Sequence, residues 1–301
     1  MAPDERDSPE RDAAERDWAD YLGLDRLPRH TVNMRLADLI SLKGKKAICT
    51  GAGGDGLGHA IANRLAGSGA DIALVGRTMA TLEQRAGEIR ERWGVNTYPV
   101  QADLSDWDQV VRAVAESREK MGGLDIMINN PILMRGGMFE NQTKEDIDVT
   151  VHGSFTMLMY GAHAALQHML PQGSGRIINI ASAAARTAQK GISVYGAAKA
   201  GVIGFTRNLA HEVIDRGVYV MCVAPGIMIN ASLEESILRP ATPEAAIAAR
   251  GAISESLDKF VQVGRVSLPD EVANMVAYLA SEAADYMVGQ TIDVSGGMYM
   301  N

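Results

Sequence analysis

The chain is poor in the residues on which several functions depend. It has two cysteines in 301 residues, Cys49 and Cys222, each inside an apolar run and neither in a Cys-x-x-Cys or Cys/His pattern. That spacing excludes a disulfide framework and reads as buried, reduced thiols in a cytoplasmic protein. The six histidines contain no His-Glu-x-x-His, so no metal site is expected. No run of 18 apolar residues occurs, and the N-terminus is acidic where a signal peptide would be basic and then apolar, so neither a membrane span nor a leader is expected. Positive charge is in deficit, 29 Lys and Arg against 37 Asp and Glu, a net −8. This argues against a general affinity for nucleic acid or anionic membranes. What remains is an ordinary globular composition, 47% hydrophobic and 22% charged, whose function must rest on a local site.

Much of the negative charge sits at one end. Residues 1–17 hold seven acids and three arginines and almost nothing apolar, a composition that predicts disorder. Apolar residues return between Trp18 and Leu42, enough for a short helix or an arm, so residues 1–41 read as an acidic, partly disordered extension. From Lys46 onward, short β-rich runs alternate with helix-length amphipathic stretches: KAICT from 46, DIALVG from 71, TYPVQ from 97, LDIMIN from 124, RIINIA from 176, VYVMCVA from 218 and QTIDV from 290. Apolar strands separated by helices predict an α/β fold, a Rossmann-like doubly wound parallel sheet of about seven strands with helices on both faces. Residues 42–301 form one such domain, with no second domain left over.

Directly after the first run comes Thr50-Gly51-Ala52-Gly53-Gly54-Asp55-Gly56-Leu57-Gly58, followed by the helical stretch HAIANRLAGSGA. Glycines between a strand and a helix let backbone N–H groups approach a pyrophosphate at the positive helix end, which marks Gly51, Gly54, Asp55, Gly56 and Leu57 as cofactor-side candidates. A glycine-rich structural turn is the plainer alternative. The second strand ends in Gly76-Arg77 where an NAD-binding protein would carry an acid for the ribose. A guanidinium there suits the 2′-phosphate of NADP(H), with NAD(H) the alternative cofactor and an exposed loop arginine the alternative reading. Tyr195 and Lys199, four apart, share a helix face, and a cation beside a phenol lowers its pKa toward a range where it can exchange a proton with a carbonyl or alcohol oxygen.

With Ser182 thirteen residues before Tyr195, the chain resembles the short-chain dehydrogenase/reductase family from about Leu42 to Met298. The matching stretches are the glycine loop, Asp103-Leu104, Asn129-Asn130, INIAS ending at Ser182, Tyr195/Lys199, Ala224-Pro225-Gly226, GRVSLPDEVANMVAYLAS and GQTIDVSGG. The resemblance implies that Tyr195 is the general acid/base, that Ser182 binds the substrate oxygen, and that Lys199 serves both the phenol and the nicotinamide ribose. It places Asp103 and Leu104 at the adenine, Asn130 and Pro131 at the cofactor ribose, and Pro225, Gly226, Ile227 and Met228 on the nicotinamide side. It further implies a homo-tetramer or dimer.

Three departures from the family pattern stand out. The glycine loop carries one extra residue, bulging Gly54 or Asp55 outward. Pro131-Ile132 replaces a small pair. Ser154 occupies the position of the family's catalytic Asn, and its hydroxyl reads as keeping the proton relay through an additional water. An insert at about 227–262 occupies the place of a substrate lid, and its apolar residues, with Ile132, Leu133 and Met134, suggest an apolar pocket. The expected reaction is hydride transfer between the cofactor, NADPH preferred, and a mainly apolar small molecule: a cyclic ketone or alcohol, or an acyl thioester. A catalytically weakened cofactor-binding sensor or scaffold of the same fold is the alternative that the departures motivate.

Overall fold

A computed structural model describes Gly23, residues 27–229 and 257–300, and Glu234, Glu235, Arg239, Thr242, Glu244, Ile247, Gly251 and Ser254 between them. The acidic segment 1–17 and most of the expected lid, including Leu233, Ile237 and Leu238, lie outside these residues. The chain divides into two compact units, Met1–Leu39 and Ile40–Asn301. In the first, a 3-10 turn at Arg29–Thr31 precedes a single helical turn, Leu36–Leu39, beside which Arg35 grips Asp38 with two hydrogen bonds of 2.8 and 2.9 Å.

The second unit is built on seven parallel strands: β1 Lys46–Thr50, β2 Asp71–Gly76, β3 Thr97–Gln101, β4 Ile126–Asn129, β5 Gly175–Ile180, β6 Val218–Pro225 and β7 Thr291–Val294. Their order is β3-β2-β1-β4-β5-β6-β7. Strand side chains alternate between faces, and both faces are apolar, so each face collects its own core. Ala47, Cys49, Leu74 and Ile128 pack with helices α1 (Leu57–Gly67), α2 (Met79–Trp93) and a late helix, Pro269–Leu279. Ile48, Val75 and Met127 pack on the other side with α3 (Trp107–Met121), and with helices at Met157–Gln172 and Ser193–Val213. In chain order, α4 is Lys144–Val151, α5 is Met157–Gln172, α6 is Ser193–Val213 and α7 is Pro269–Leu279.

Local chemistry fixes the helix ends. The Asp106 side chain accepts the Gln109 N–H to start α3, and a reciprocal Thr143/Asp146 box starts α4. Gly94, Gly122 and Gly173 adopt left-handed conformations just after α2, α3 and α5, where a side chain would be strained. Between α4 and α5, His152–Thr156 forms a π turn, which shifts the helix face by one residue. Because β1 is flanked by β2 on one side and β4 on the other, chain crossovers leave in opposite directions there, opening a crevice at the carboxyl ends of these strands.

Candidate active site

The floor of the crevice is fixed by side-chain-to-backbone ties. Thr50, 3% exposed, donates its hydroxyl proton to the Ile128 carbonyl at 3.0 Å and accepts the Asn130 N–H at 2.9 Å, locking the tip of β1 to that of β4. Gly51 follows with φ +68°, and a Cβ on it would stand 2.9 Å from the Asn130 carbonyl oxygen. A Cβ on Gly58 would fall 2.2 Å from the Gly51 carbonyl oxygen, so α1 sits against the loop as closely as bare backbone permits. Gly54 and Gly56 have open space where a Cβ would be. That room, lined by glycine backbone at the N-terminus of an eleven-residue helix, is the cradle a dinucleotide pyrophosphate needs.

Most residues expected at the site line one cleft of about 500 Å³. Gly51, Gly54, Gly56, Leu57 and Arg77 lie toward one end with Asp103 and Leu104, while Asn130, Pro131, Ser182, Tyr195, Lys199, Pro225, Gly226 and Met228 form the rest. The Ser105 N–H and hydroxyl hold the Asp103 carboxylate at 2.9 and 2.8 Å, which keeps its pKa below the usual carboxylate value. Beside Arg77, a polar hollow of about 350 Å³ is lined by Gln101, Asp103 and Gln109.

Three expected residues are not on the cleft wall. Asp55 forms an ion pair with Arg85 of α2, so the extra loop residue turns its carboxylate toward that helix. The Ile227 carbonyl accepts the Ser267 N–H at 3.0 Å, which ties the segment after β6 to residue 267. Ser154 is fully buried, with its hydroxyl donating to the Leu133 carbonyl at 2.8 Å. Met134 is exposed and off the cleft, whereas Ile132 and Leu133 are on it.

At the deep end, α6 carries Tyr195 and Lys199 on one face, as their spacing predicts. Gly196 lets this helix approach the turn after β5, since a Cβ there would stand 2.9 Å from the Ala184 carbonyl oxygen. The turn presents Ser182, whose oxygen accepts the Ala184 N–H at 3.2 Å and whose side chain hydrogen-bonds the Tyr195 phenol. Lys199, 2% exposed, donates to the Ile180 carbonyl at 2.9 Å and reaches the Pro131 carbonyl at 3.5 Å. Burial pulls its pKa down to about 8, with a smaller opposing pull from Cys222.

The expected lowering of the phenol by this cation is reversed. Burial pushes Tyr195 up and the Ser182 hydrogen bond offsets part of that. The Lys199 ammonium, 5.9 Å from the centre of the Tyr195 ring and bonded to the Ile180 carbonyl, does not offset that burial.

The sequence reading missed a buried polar chain behind the site. The Asn129 Nδ2 donates to the Asn179 Oδ1 at 3.0 Å, and the Asn179 Nδ2 donates to the Thr206 Oγ1 at 3.0 Å, linking β4, β5 and α6. It also missed Ser105, Met157, Ile180 and His152 on the cleft wall. His152 lies 3.2 Å from the Ser105 carbonyl, and a uniform helix period could not place it because the π turn begins there.

A family model described as short chain dehydrogenase matches residues 45–239. The chain belongs to the short-chain dehydrogenase family. It is an NAD(P)-dependent oxidoreductase of that family, and its relatives and solved neighbours match nearly the whole of the larger unit. Nodulation protein G of Rhizobium sp. (strain N33) is 36% identical over 262 residues, 87% of this chain and 100% of that protein. A 3-oxoacyl-(acyl-carrier-protein) reductase of Aquifex aeolicus is 32% identical over 263 residues, 86% of this chain and 99% of that one. Among solved structures, L-sorbose reductase from Gluconobacter frateurii, complexed with NADPH and L-sorbose, superimposes with a TM-score of 0.79 at 28% identity, covering 87% of this chain and 99% of its own.

Proposed function

We propose that this short-chain dehydrogenase is an NADPH-preferring carbonyl reductase acting on a mainly apolar substrate, a cyclic ketone or an acyl thioester. The observation that carries this reading is the meeting of Ser182, Tyr195 and Lys199 in one cleft whose outer wall includes Ile132, Leu133, Met157 and Met228. Relatives support the chemistry: one is named as a 3-oxoacyl-(acyl-carrier-protein) reductase, and a neighbour was solved with NADPH.

When bound, the nicotinamide supplies the hydride. The chain's part is to place and to protonate. Ser182 would hold the substrate oxygen beside the Tyr195 hydroxyl, which delivers the proton, and Lys199 would hold the nicotinamide ribose. A phenol raised by burial remains protonated at neutral pH, the form that donates in the reductive direction. Arg77, beside the polar hollow lined by Gln101, Asp103 and Gln109, would receive the 2′-phosphate.

The test mixes the protein with NADPH or NADH and a panel of cyclic ketones, sugars and β-ketoacyl thioesters, following absorbance of the reduced nicotinamide. Oxidation of NADPH with an apolar member of the panel is expected. NADPH binding without turnover of any member would leave a cofactor-binding sensor or scaffold as the better reading.

A further inference from the structure

The loop that opens with the Pro131-Ile132 departure meets the serine at 154 through its next residue, Leu133. Leu133 packs onto the π turn at Gly153, where a Cβ would stand 2.2 Å from the Leu133 Cβ, so only glycine fits opposite the leucine. Beside it, the fully buried Ser154 donates its hydroxyl proton to the Leu133 carbonyl at 2.8 Å. Two residues further along the loop, the Arg135 N–H donates at 3.0 Å to the hydroxyl of Thr150, also fully buried. A serine hydroxyl has one proton to give, and here it goes to the loop. Lys199 draws on other partners, the Ile180 carbonyl at 2.9 Å and, from this same loop, the Pro131 carbonyl at 3.5 Å.

We propose that Ser154 is a positioning residue that, with Gly153, locks residues 131–135 against the π turn so that Ile132 and Leu133 form the substrate-facing wall of the cleft, and that it stands outside the proton path. The need for a lock follows from exposure. Ile132 is 62% and Leu133 44% exposed, so burial alone does little to hold them in place. The loop and the π turn fit one another: Gly153 leaves room for the Leu133 side chain, and Ser154 bonds the Leu133 carbonyl. The proposal rests on the carbonyl-reductase reading and deepens it by naming what shapes the substrate wall.

Ser154→Ala separates the two roles. Loss of the lock is expected to speed amide exchange across residues 132–136 by about tenfold and to raise substrate KM by about tenfold. NADPH affinity should stay within about twofold and kcat within about threefold, with the pH profile in place, because the Ile180 carbonyl still holds Lys199. A tenfold fall in kcat or a displaced pH profile, with loop exchange unchanged, would put the serine back in the proton path and overturn the proposal.

The steric half is tested by Gly153→Ala, expected to loosen the same amides, and by Gly153→Ala/Leu133→Gly, expected to restore their protection; this pair decides the matter should Ser154→Ala not fold. A Gly153→Ala protein indistinguishable from wild type, or a double variant no better than the single one, also overturns it. If the wild-type protein reduces no carbonyl compound, the functional reading fails by itself, and the exchange measurements still decide whether the lock exists.

Discussion

Lys199 joins the chemistry of the site to the stability of the fold. Its ordinary pKa is 10.5 and its folded value about 8, so between these pH values the unfolded chain holds a proton that the folded chain does not. Stability therefore rises with pH across that window, and below pH 8 the buried ammonium carries its full penalty, about 3 kcal/mol. Lys199→Met removes this dependence. The stability difference between variant and wild type is expected to shift in favour of the wild type as pH climbs from 8 to 10.5, measured by chemical denaturation at each pH. A difference flat with pH would show that the lysine is not held with a depressed pKa. Tyr195→Phe makes a separate prediction: the ring stays and the proton donor goes, so turnover should fall by at least about a thousandfold while NADPH still binds within about twofold. Turnover close to wild type would assign the proton to another group. At this scale the sequence was readable where chemistry repeats at helix spacing, as with Tyr195 and Lys199. It gave no sign that Asn129, Asn179 and Thr206 are linked, because Asn129 and Asn179 meet through the pairing register of β4 and β5 and Thr206 joins them from α6.

At the scale of elements, the widened glycine loop shows how one insertion is absorbed. An added carboxylate between two cradle glycines would repel a pyrophosphate, but Asp55 is paired with Arg85, which also holds Glu88 at 2.8 Å. The Arg85 side chain is 19% exposed but that of Asp55 is 58% exposed, so the pair sets the direction of the carboxylate while remaining open to screening by salt. Arg85→Met should weaken NADPH and NADH binding alike by about tenfold, or about 1.4 kcal/mol, and Asp55→Asn in the same chain should recover most of that. The fluorescence of bound NADPH and NADH reports both affinities. Failure of the second change to restore binding would mean that Arg85 acts on the loop through packing alone. By contrast, Gly76→Asp with Arg77→Leu should invert the preference toward NADH, since a Cβ at Gly76 meets Leu82 at 3.4 Å and the Gly53 N of the loop at 3.8 Å, contacts the site can accommodate. The strands themselves were legible to within two residues, because an apolar run buried on both faces starts and stops with the sheet. The facing of Asp55, Ile227 and Ser154 was not, because a bulged loop, the tie to Ser267 and a π turn each displace side chains from any regular period.

For the whole molecule, the doubly wound order follows from strands and helices alternating in the chain, and the crevice from the crossover at β1. Assembly is the remaining question. The small residues Ala200, Gly201 and Gly204 of α6 allow two readings, packing against the chain's own sheet or against another copy, and the structure divides them. Gly201 is filled from within, a Cβ there meeting the Phe155 ring at 3.2 Å, whereas Ala200 is exposed and Gly204 has nothing within 4 Å. An open glycine on a long helix leaves room for close approach of an identical helix, and self-complementary faces close into symmetric dimers or tetramers. Sedimentation at micromolar concentration should therefore give one species of two or four chains. Gly204→Arg, which adds a long charged side chain where the protomer itself leaves space, should shift it toward the single chain while leaving the unfolding midpoint of the dilute protomer in place. A wild-type protein that sediments as one chain would make that face ordinary solvent-exposed helix. A Gly204→Arg variant that still assembles would move the contact to another surface, with the exposed Trp107, whose ring meets that of Tyr160 at 5.1 Å, the next face to alter.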